Sequence, residues 1–261
     1  MRFQLTPNSR HKKQTILHSV PYRGRVVEHR INRGFTLIEI AVGLFIVSLI
    51  LGSILIPLGT QVEQKQLSDT QKSMEEAKEA LVGYTIANGY LPCPDLTTGA
   101  NSNDGQEDVT AGACTSTEGN LPWATLGVTG VDSWGNRIRY RADPTYSSHS
   151  TPFILTSNSA LRVCTNAACS TLLTSGTAGQ GAVAVLMSHG KNGLGAINST
   201  TNAAYPAPTG ADELANTDNN TIFVSRTQSA AGSTAGEFDD IVIWLSKNLL
   251  FNRMVAAGKL P

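Results

Sequence analysis

Acidic side chains are almost missing from the start of this chain. Residues 1–34 hold Glu28 alone against eight Lys/Arg (Arg2, Arg10, Lys12, Lys13, Arg23, Arg25, Arg30 and Arg33), and the rest has 12 basic against 19 acidic side chains. The formal net charge of zero therefore hides a strong asymmetry. Charge is absent altogether from Ile40 to Val62, which excludes a solvated helix face over those 23 residues. At about 1.5 Å of rise per residue such a run spans the roughly 30 Å hydrocarbon core of a bilayer. With the basic block before it, the positive-inside rule predicts a cytoplasmic N-terminus and export of everything after Val62. A cleaved secretory signal fits poorly, because the run is longer than a usual signal core and no A-x-A-like site follows it.

Patterns of catalysis are also missing. "GTAGQG" lacks the Lys and Ser/Thr of a phosphate loop, and "SHGKNG" lacks the spaced upstream glycine. His149 and His189 each stand beside serines, as chance allows in a Ser-rich chain, so no nucleophile is read there. Basic-aromatic patterning is missing too, and the exported part is acidic, which opposes phosphate binding and leaves no nucleic-acid partner expected. No C-x-x-C pair or neighbouring His completes a zinc set, so the four cysteines read as disulfides. Cys93, Cys114, Cys164 and Cys169 all lie beyond the apolar run, on the oxidising side, and allow three pairings. The favoured one joins Cys93 to Cys114 around a Gly/Asn/Asp-rich loop, and Cys164 to Cys169 across a hairpin with a four-residue loop.

What is present begins with one carboxylate, Glu39, just inside the apolar segment "RGFTLIEIAVGLFIVSLILGS". After it, Leu67, Thr70, Met74, Ala77, Leu81 and Tyr84 recur at three- and four-residue spacing, an amphipathic stripe that continues the helix, loosened at Pro57, to a stop near Asn88-Gly89. Short β-like runs follow: "NRIRYR", "TPFILTS", "ALRVC", "STLLTS", "GAVAVLMS", "TIFVSR" and "FDDIVIWLS". "SKNLLFNRMVAAGKLP" then reads as a helix from Ser246 to near Gly258, apolar at Leu250, Phe251, Met254 and Val255. The expected fold class is α+β, a long N-terminal transmembrane and spine helix packed on an antiparallel β-sheet with a short C-terminal helix.

The stretch "RGFTLIE" resembles the processing site of type IV prepilins and the pseudopilins of type II secretion. That resemblance implies cleavage by a membrane prepilin peptidase after Gly34, N-methylation of Phe35, and an assembly role for Glu39, fifth residue of the mature chain. It divides the chain into a removed basic leader (1–34), a transmembrane and spine helix (35–89) and an exported pilin-like globular domain (90–261). The leader is long for the family, which would place the start of translation at Val26 or Val27.

The resemblance extends to "DSWGNRIRY", where Asp132, Trp134, Gly135, Asn136 and Tyr140 fit the family's turn into its first strand, and more weakly to Ser188, Gly190 and Gly193 of "SHGKNGLG". It implies a structural subunit of a pseudopilus or pilus rather than an enzyme. Its partners would be other pilin or pseudopilin subunits and an inner-membrane assembly platform, with the globular domain periplasmic. The alternative within the resemblance is a minor pilin that binds in adhesion or DNA uptake. Calcium is implied through acidic residues of a loop placed like "GADELANTDNN", namely Asp212, Glu213 and Asp218, although Asn192 stands where the family tends to have Asp.

Overall fold

The computed structural model describes residues 34–260, without the side chains of 53–58. The expected leader therefore lies outside the described residues, apart from Gly34. The chain divides into two compact units, Met1–Ser53 and Ile54–Pro261. One helix, α1 (Leu37–Asn88), passes from the first unit into the second without interruption at Pro57.

In the first unit every large apolar side chain from Leu37 to Leu51 is exposed. No helix among the described residues is long and apolar enough to cross a membrane. The uncharged run is helical throughout.

The second unit is built on the expected stripe. Thr70, Met74, Ala77 and Leu81 of α1 are buried, and Leu67 packs partly buried against the same core. The helix stops where expected, with Gly89 at φ +86° and its N–H bonded to the Thr85 carbonyl at 2.8 Å. A glycine adopts that left-handed conformation without strain, as helix C-caps require.

This stripe faces a four-stranded antiparallel sheet. Its members are β3 (Glu118–Asn120), β4 (Arg139–Ala142), β6 (Ala182–Ser188) and β8 (Ile241–Ser246), in the order β3-β4-β6-β8. All seven residues of β6 are buried because both faces of the sheet are covered. Val183, Ala184 and Leu186 join the α1 core, while Val185 and Met187 point to the opposite face. That alternation is the strand period of two, shifted by an irregularity between Ala182 and Ala184. Helix α4 (Lys247–Ala256) adds Leu250 and Met254 to the first face. Ser246 caps it by accepting from the Leu249 N–H at 3.3 Å, and Gly258 at φ +67° ends it. Val255 is exposed, against expectation.

Three expectations need correction. The second face is covered by a parallel pair, β5 (Arg162–Cys164) with β7 (Ile222–Val224), in register Val163↔Phe223, so the strands are not all antiparallel. "TPFILTS" is a loop, because the Ser157 N–H closes a turn on the Ile154 carbonyl while Phe153 anchors it in the core against Tyr146. "STLLTS" forms only a bridge, Cys164↔Leu172. Strands β1 (Val109–Thr110) and β2 (Ala113–Cys114) pair as a small hairpin, and helices α2 (Trp123–Leu126) and α3 (Ala211–Ala215) are short.

The alternation in "NRIRYR" also has a different meaning from a half-solvated strand. Ile138 and Tyr140 are buried as expected, but Arg141 is buried as well and Arg139 is partly covered. Both arginines pair with Glu118 on the neighbouring β3, whose side chain is 3% exposed; Arg141 Nη1 reaches Glu118 Oε2 at 2.9 Å. Two guanidinium groups around one carboxylate compensate the cost of burying it.

Both favoured disulfides are present, Cys93–Cys114 and Cys164–Cys169. The hairpin around the second differs in register: Cys164 lies opposite Leu172, the Thr165 N–H bonds the Thr171 carbonyl, and Cys169 sits inside the loop at φ +51°.

Candidate functional site

Helix α1 starts on a reciprocal pair of side chains. Thr36 Oγ1 accepts from the Glu39 N–H at 3.3 Å, and Glu39 Oε2 accepts from both the Thr36 N–H and the Thr36 hydroxyl at 2.8 Å. This is a capping box, in which the first and fourth residues each satisfy a donor that the helix start would leave open. The T-x-x-E spacing is legible in the sequence and was the missed signal, since the expectation placed the helix start at Phe35. Gly34 and Phe35 precede the cap in non-helical backbone, Phe35 is 83% exposed, and a Cβ at Gly34 would meet nothing within 4 Å among the described residues. Among the described residues, nothing in the fold imposes a glycine at position 34.

Residues 29–55 match the family model of the prokaryotic N-terminal methylation motif. The chain carries this methylation motif. It is characteristic of type IV prepilins and pseudopilins, and it implies processing by prepilin peptidase and assembly with other pilins. No curated protein and no solved structure matches the chain.

Beyond the methylation motif, the "DSWGN" and "SHGKNG" stretches touch each other in the fold. Asp132 Oδ1 accepts from the N–H groups of Trp134 and Asn136 at 2.9 Å, folding the "DSWGN" turn, while its Oδ2 accepts from Ser188 Oγ at 2.7 Å. Asn136 Nδ2 donates to the Gly190 carbonyl at 3.4 Å. The turn is also tied to α1, since the Ser133 N–H donates to Thr70 Oγ1 at 3.1 Å. Burial pushes the Asp132 carboxyl up from its ordinary value, against the pull of these hydrogen bonds.

The acidic trio does not converge. Asp212 forms an ion pair with Arg226 Nε at 2.7 Å and accepts from the Ala167 N–H, and Asp218 accepts from Asn220 two residues on. Both are spent on local structure. Glu213, 2% exposed, turns instead toward Asp239 and Asp240, and one ligand oxygen from each of the three lies within 4.8 Å of the others.

Asn216 Nδ2 holds Asp240 Oδ2 at 2.7 Å, and the Asn192 N–H holds Asp239 Oδ2 at 2.7 Å. Gly190 at φ +61° lets the turn close in, because a Cβ there would lie 2.4 Å from the Asp239 carbonyl oxygen. His189 Nδ1 lies 3.5 Å from Asp240 Oδ1, an ion-pair distance without hydrogen-bond geometry.

Burial, then the Asp240 charge, pushes the Glu213 carboxyl up to about 7, and burial raises Asp239 as well. Among the described residues Asp239 Oδ1 is buried without a hydrogen-bond partner, while Asp239 also lines an open groove of about 570 Å³ with Glu63, Trp134 and Lys191. An oxygen-only set with an orphaned carboxylate oxygen fits a hard divalent cation, so the residues that fit calcium are Glu213, Asp239 and Asp240.

Proposed function

We propose that the chain is a pilin-like structural subunit of a type II secretion pseudopilus or a type IV pilus. In this reading residues 1–34 are a cytoplasmic leader, prepilin peptidase cuts after Gly34, and the new amine of Phe35 is methylated. The helix through Ile40–Val62 holds the subunit in the inner membrane, with residues 90–261 in the periplasm. On an assembly platform the subunits then exchange lipid for one another. The exposed apolar surface from Leu37 to Leu51 supports this, since a helix apolar on all sides is stable only in lipid or among other helices. The acidic exported part disfavours DNA uptake as the alternative.

The observation that carries the reading is the methylation motif placed across a capped helix start. A protease binds its substrate extended, and the capping box stops the helix immediately after Gly34 and Phe35. Glycine at 34 then serves the peptidase cleft rather than the fold. After the cut, Glu39 lies one helical turn from the new amine, placed to pair with the Phe35 amine of a neighbour staggered along the axis. Glu213, Asp239 and Asp240 would hold a calcium ion that neutralises their crowding and fastens the turn at Gly190 to the segment before β8. Intact-mass analysis of chain extracted from membranes tests the reading: a product beginning at methylated Phe35 is expected. A product beginning beyond Val62 would mark ordinary signal removal and overturn it.

A further inference from the structure

A cavity of about 190 Å³ lies on the sheet face opposite α1, and Arg137, Arg139 and His189 line it. Strand periodicity puts them there. Arg139 pairs with Met187 across β4 and β6, and Met187 belongs to the second apolar face. Arg137, two residues before Arg139, and His189, two residues after Met187, therefore share that face. Among the described residues no carboxylate lines the cavity.

The cations of this face are short of partners. Glu118 serves Arg139 and Arg141, but Arg137, 7% exposed, forms no ion pair among the described residues. Its guanidinium stacks on Trp123, 4.4 Å from the ring centroid, and Nε and Nη2 both donate to Asn202 Oδ1, at 3.3 and 2.8 Å. Burial lowers Arg137 from its ordinary value, against the pull of the Asp95 charge, which lies beyond ion-pair distance. Arg139 spends Nε and Nη2 on Glu118 and the Thr217 carbonyl. Nη1 of each arginine is thus left without a hydrogen bond among the described residues. A buried charge in this condition is costly. His189 is 1% exposed, and neither ring nitrogen is hydrogen-bonded among the described residues; Nδ1 faces Asp240, which leaves Nε2 for the cavity.

The rest of the wall is small and apolar. Ile197 and Ala204 face each other through a single bridge, and Ala196 is buried beside them. We infer that this cavity binds one small organic carboxylate, its oxygens on Arg137 and Arg139 and a short hydrocarbon body against Ala196, Ile197 and Ala204.

Two unspent guanidinium nitrogens match the two oxygens of one carboxylate, and such charge-assisted bonds are the strong ones. The added charge answers the imbalance of three guanidinium groups around Glu118. Inorganic phosphate has the charge but no hydrocarbon, so it would set unpartnered oxygens against the alanines. His189 Nε2 adds a polar contact beside the carboxylate. This inference goes beyond the filament reading and stands independently of it.

The test uses the full chain in detergent micelles, at fixed pH and in chelator, with butyrate as the probe. Calorimetry should find one saturable site. Acetate should bind about tenfold more weakly, the worth of two buried methylenes, and inorganic phosphate should also bind more weakly than butyrate. Arg137→Gln should weaken butyrate at least about tenfold, as loss of a hydrogen bond between charged groups does, while Arg253→Gln, at an exposed arginine of α4, should change nothing. With the chain carbon-13 labelled, butyrate protons should show NOE contacts to the Ala196 and Ala204 methyls, a reading that needs no variant and decides the matter if Arg137→Gln fails to fold. Absence of a saturable site would overturn the proposal. So would phosphate binding as tightly as butyrate, an unchanged affinity in a folded Arg137→Gln chain, or butyrate contacts confined to residues outside the cavity.

Discussion

Raising the pH should destabilise the folded chain through Glu213, because folding crowds this carboxylate against Asp239 and Asp240. Its carboxyl stands at about 7 in the fold against an ordinary value of 4.5, a difference worth roughly 3 kcal/mol at about 1.4 kcal/mol per unit. The sign follows from proton binding. The folded chain keeps a proton that the unfolded chain has lost, so the contribution is fully present below 4.5 and disappears as the pH rises through about 7.

Roughly 2–3 kcal/mol of it falls between about pH 5 and about pH 8, which for a urea m-value of about 1–3 kcal/mol/M moves the midpoint down by about 1 M. The groups facing Glu213 all bear on this: Asp240 and Asp239 raise it, while the Asp239 N–H and Asn192 lower it, and His189 stands beside Asp240. Asp239, Asp132 and Asp95 are raised as well and add slope in the same direction, so the decisive quantity is the difference between wild type and Glu213→Gln.

Urea unfolding followed by tryptophan fluorescence, in chelator, should give a wild-type midpoint that falls across this pH range and a Glu213→Gln midpoint that falls less. Saturating calcium should restore the wild type at the alkaline end and do little at the acid end, where protons hold the oxygens. Parallel pH profiles for the two proteins would refute the crowding argument. A steeper wild-type slope without any calcium response would leave the crowding and remove the cation.

Gly34→Leu should block maturation without touching stability, since a Cβ there meets nothing within 4 Å among the described residues; uncleaved precursor with an unchanged unfolding midpoint is the expected pair of observations. Removing Cys93–Cys114 as a Ser pair should cost about 3.3 kcal/mol and removing Cys164–Cys169 about 2.1 kcal/mol, from loop-closure entropy over separations of 21 and 5 residues. Equal costs by denaturant titration would count against that account. Leu81→Ala, under the sheet, should cost about 2–5 kcal/mol. Glu39→Ala should leave membrane insertion and cleavage largely intact while filament incorporation falls, read by shearing and by cross-linking to neighbours; normal incorporation would remove the pairing role.

Local physics was readable in the sequence where one element decides its own form. The stripe of α1, its stop at Gly89 and the Ser246 cap of α4 all follow from periodicity and terminal residues. Strand β3 was not readable, because "EGN" has no strand character and is held by Glu118 reaching Arg139 and Arg141 across the sheet. The parallel pairing of β5 with β7 likewise depends on where β6 places its second apolar face. Asp212, Glu213 and Asp218 were grouped by closeness in sequence, whereas the true neighbours of Glu213 lie 26 and 27 positions further on at Asp239 and Asp240.

Glu39 joins these levels. An ionisable residue within an apolar segment is costly unless partnered, and such residues are functional by default. The capping box gives it a partner inside the chain, which accounts for its survival at the helix start but not for any role in assembly. Both cap bonds end on Oε2, and among the described residues no hydrogen bond uses Oε1. One carboxylate can therefore hold its own helix start through one oxygen and receive a neighbour's amine through the other. Thr36→Val and Glu39→Gln separate these uses: the first removes the hydroxyl half of the cap and leaves the charge, while the second keeps hydrogen-bonding atoms and removes the charge. If assembly rests on charge pairing, Glu39→Gln loses incorporation and Thr36→Val keeps most of it. If the cap is the whole function, the order reverses.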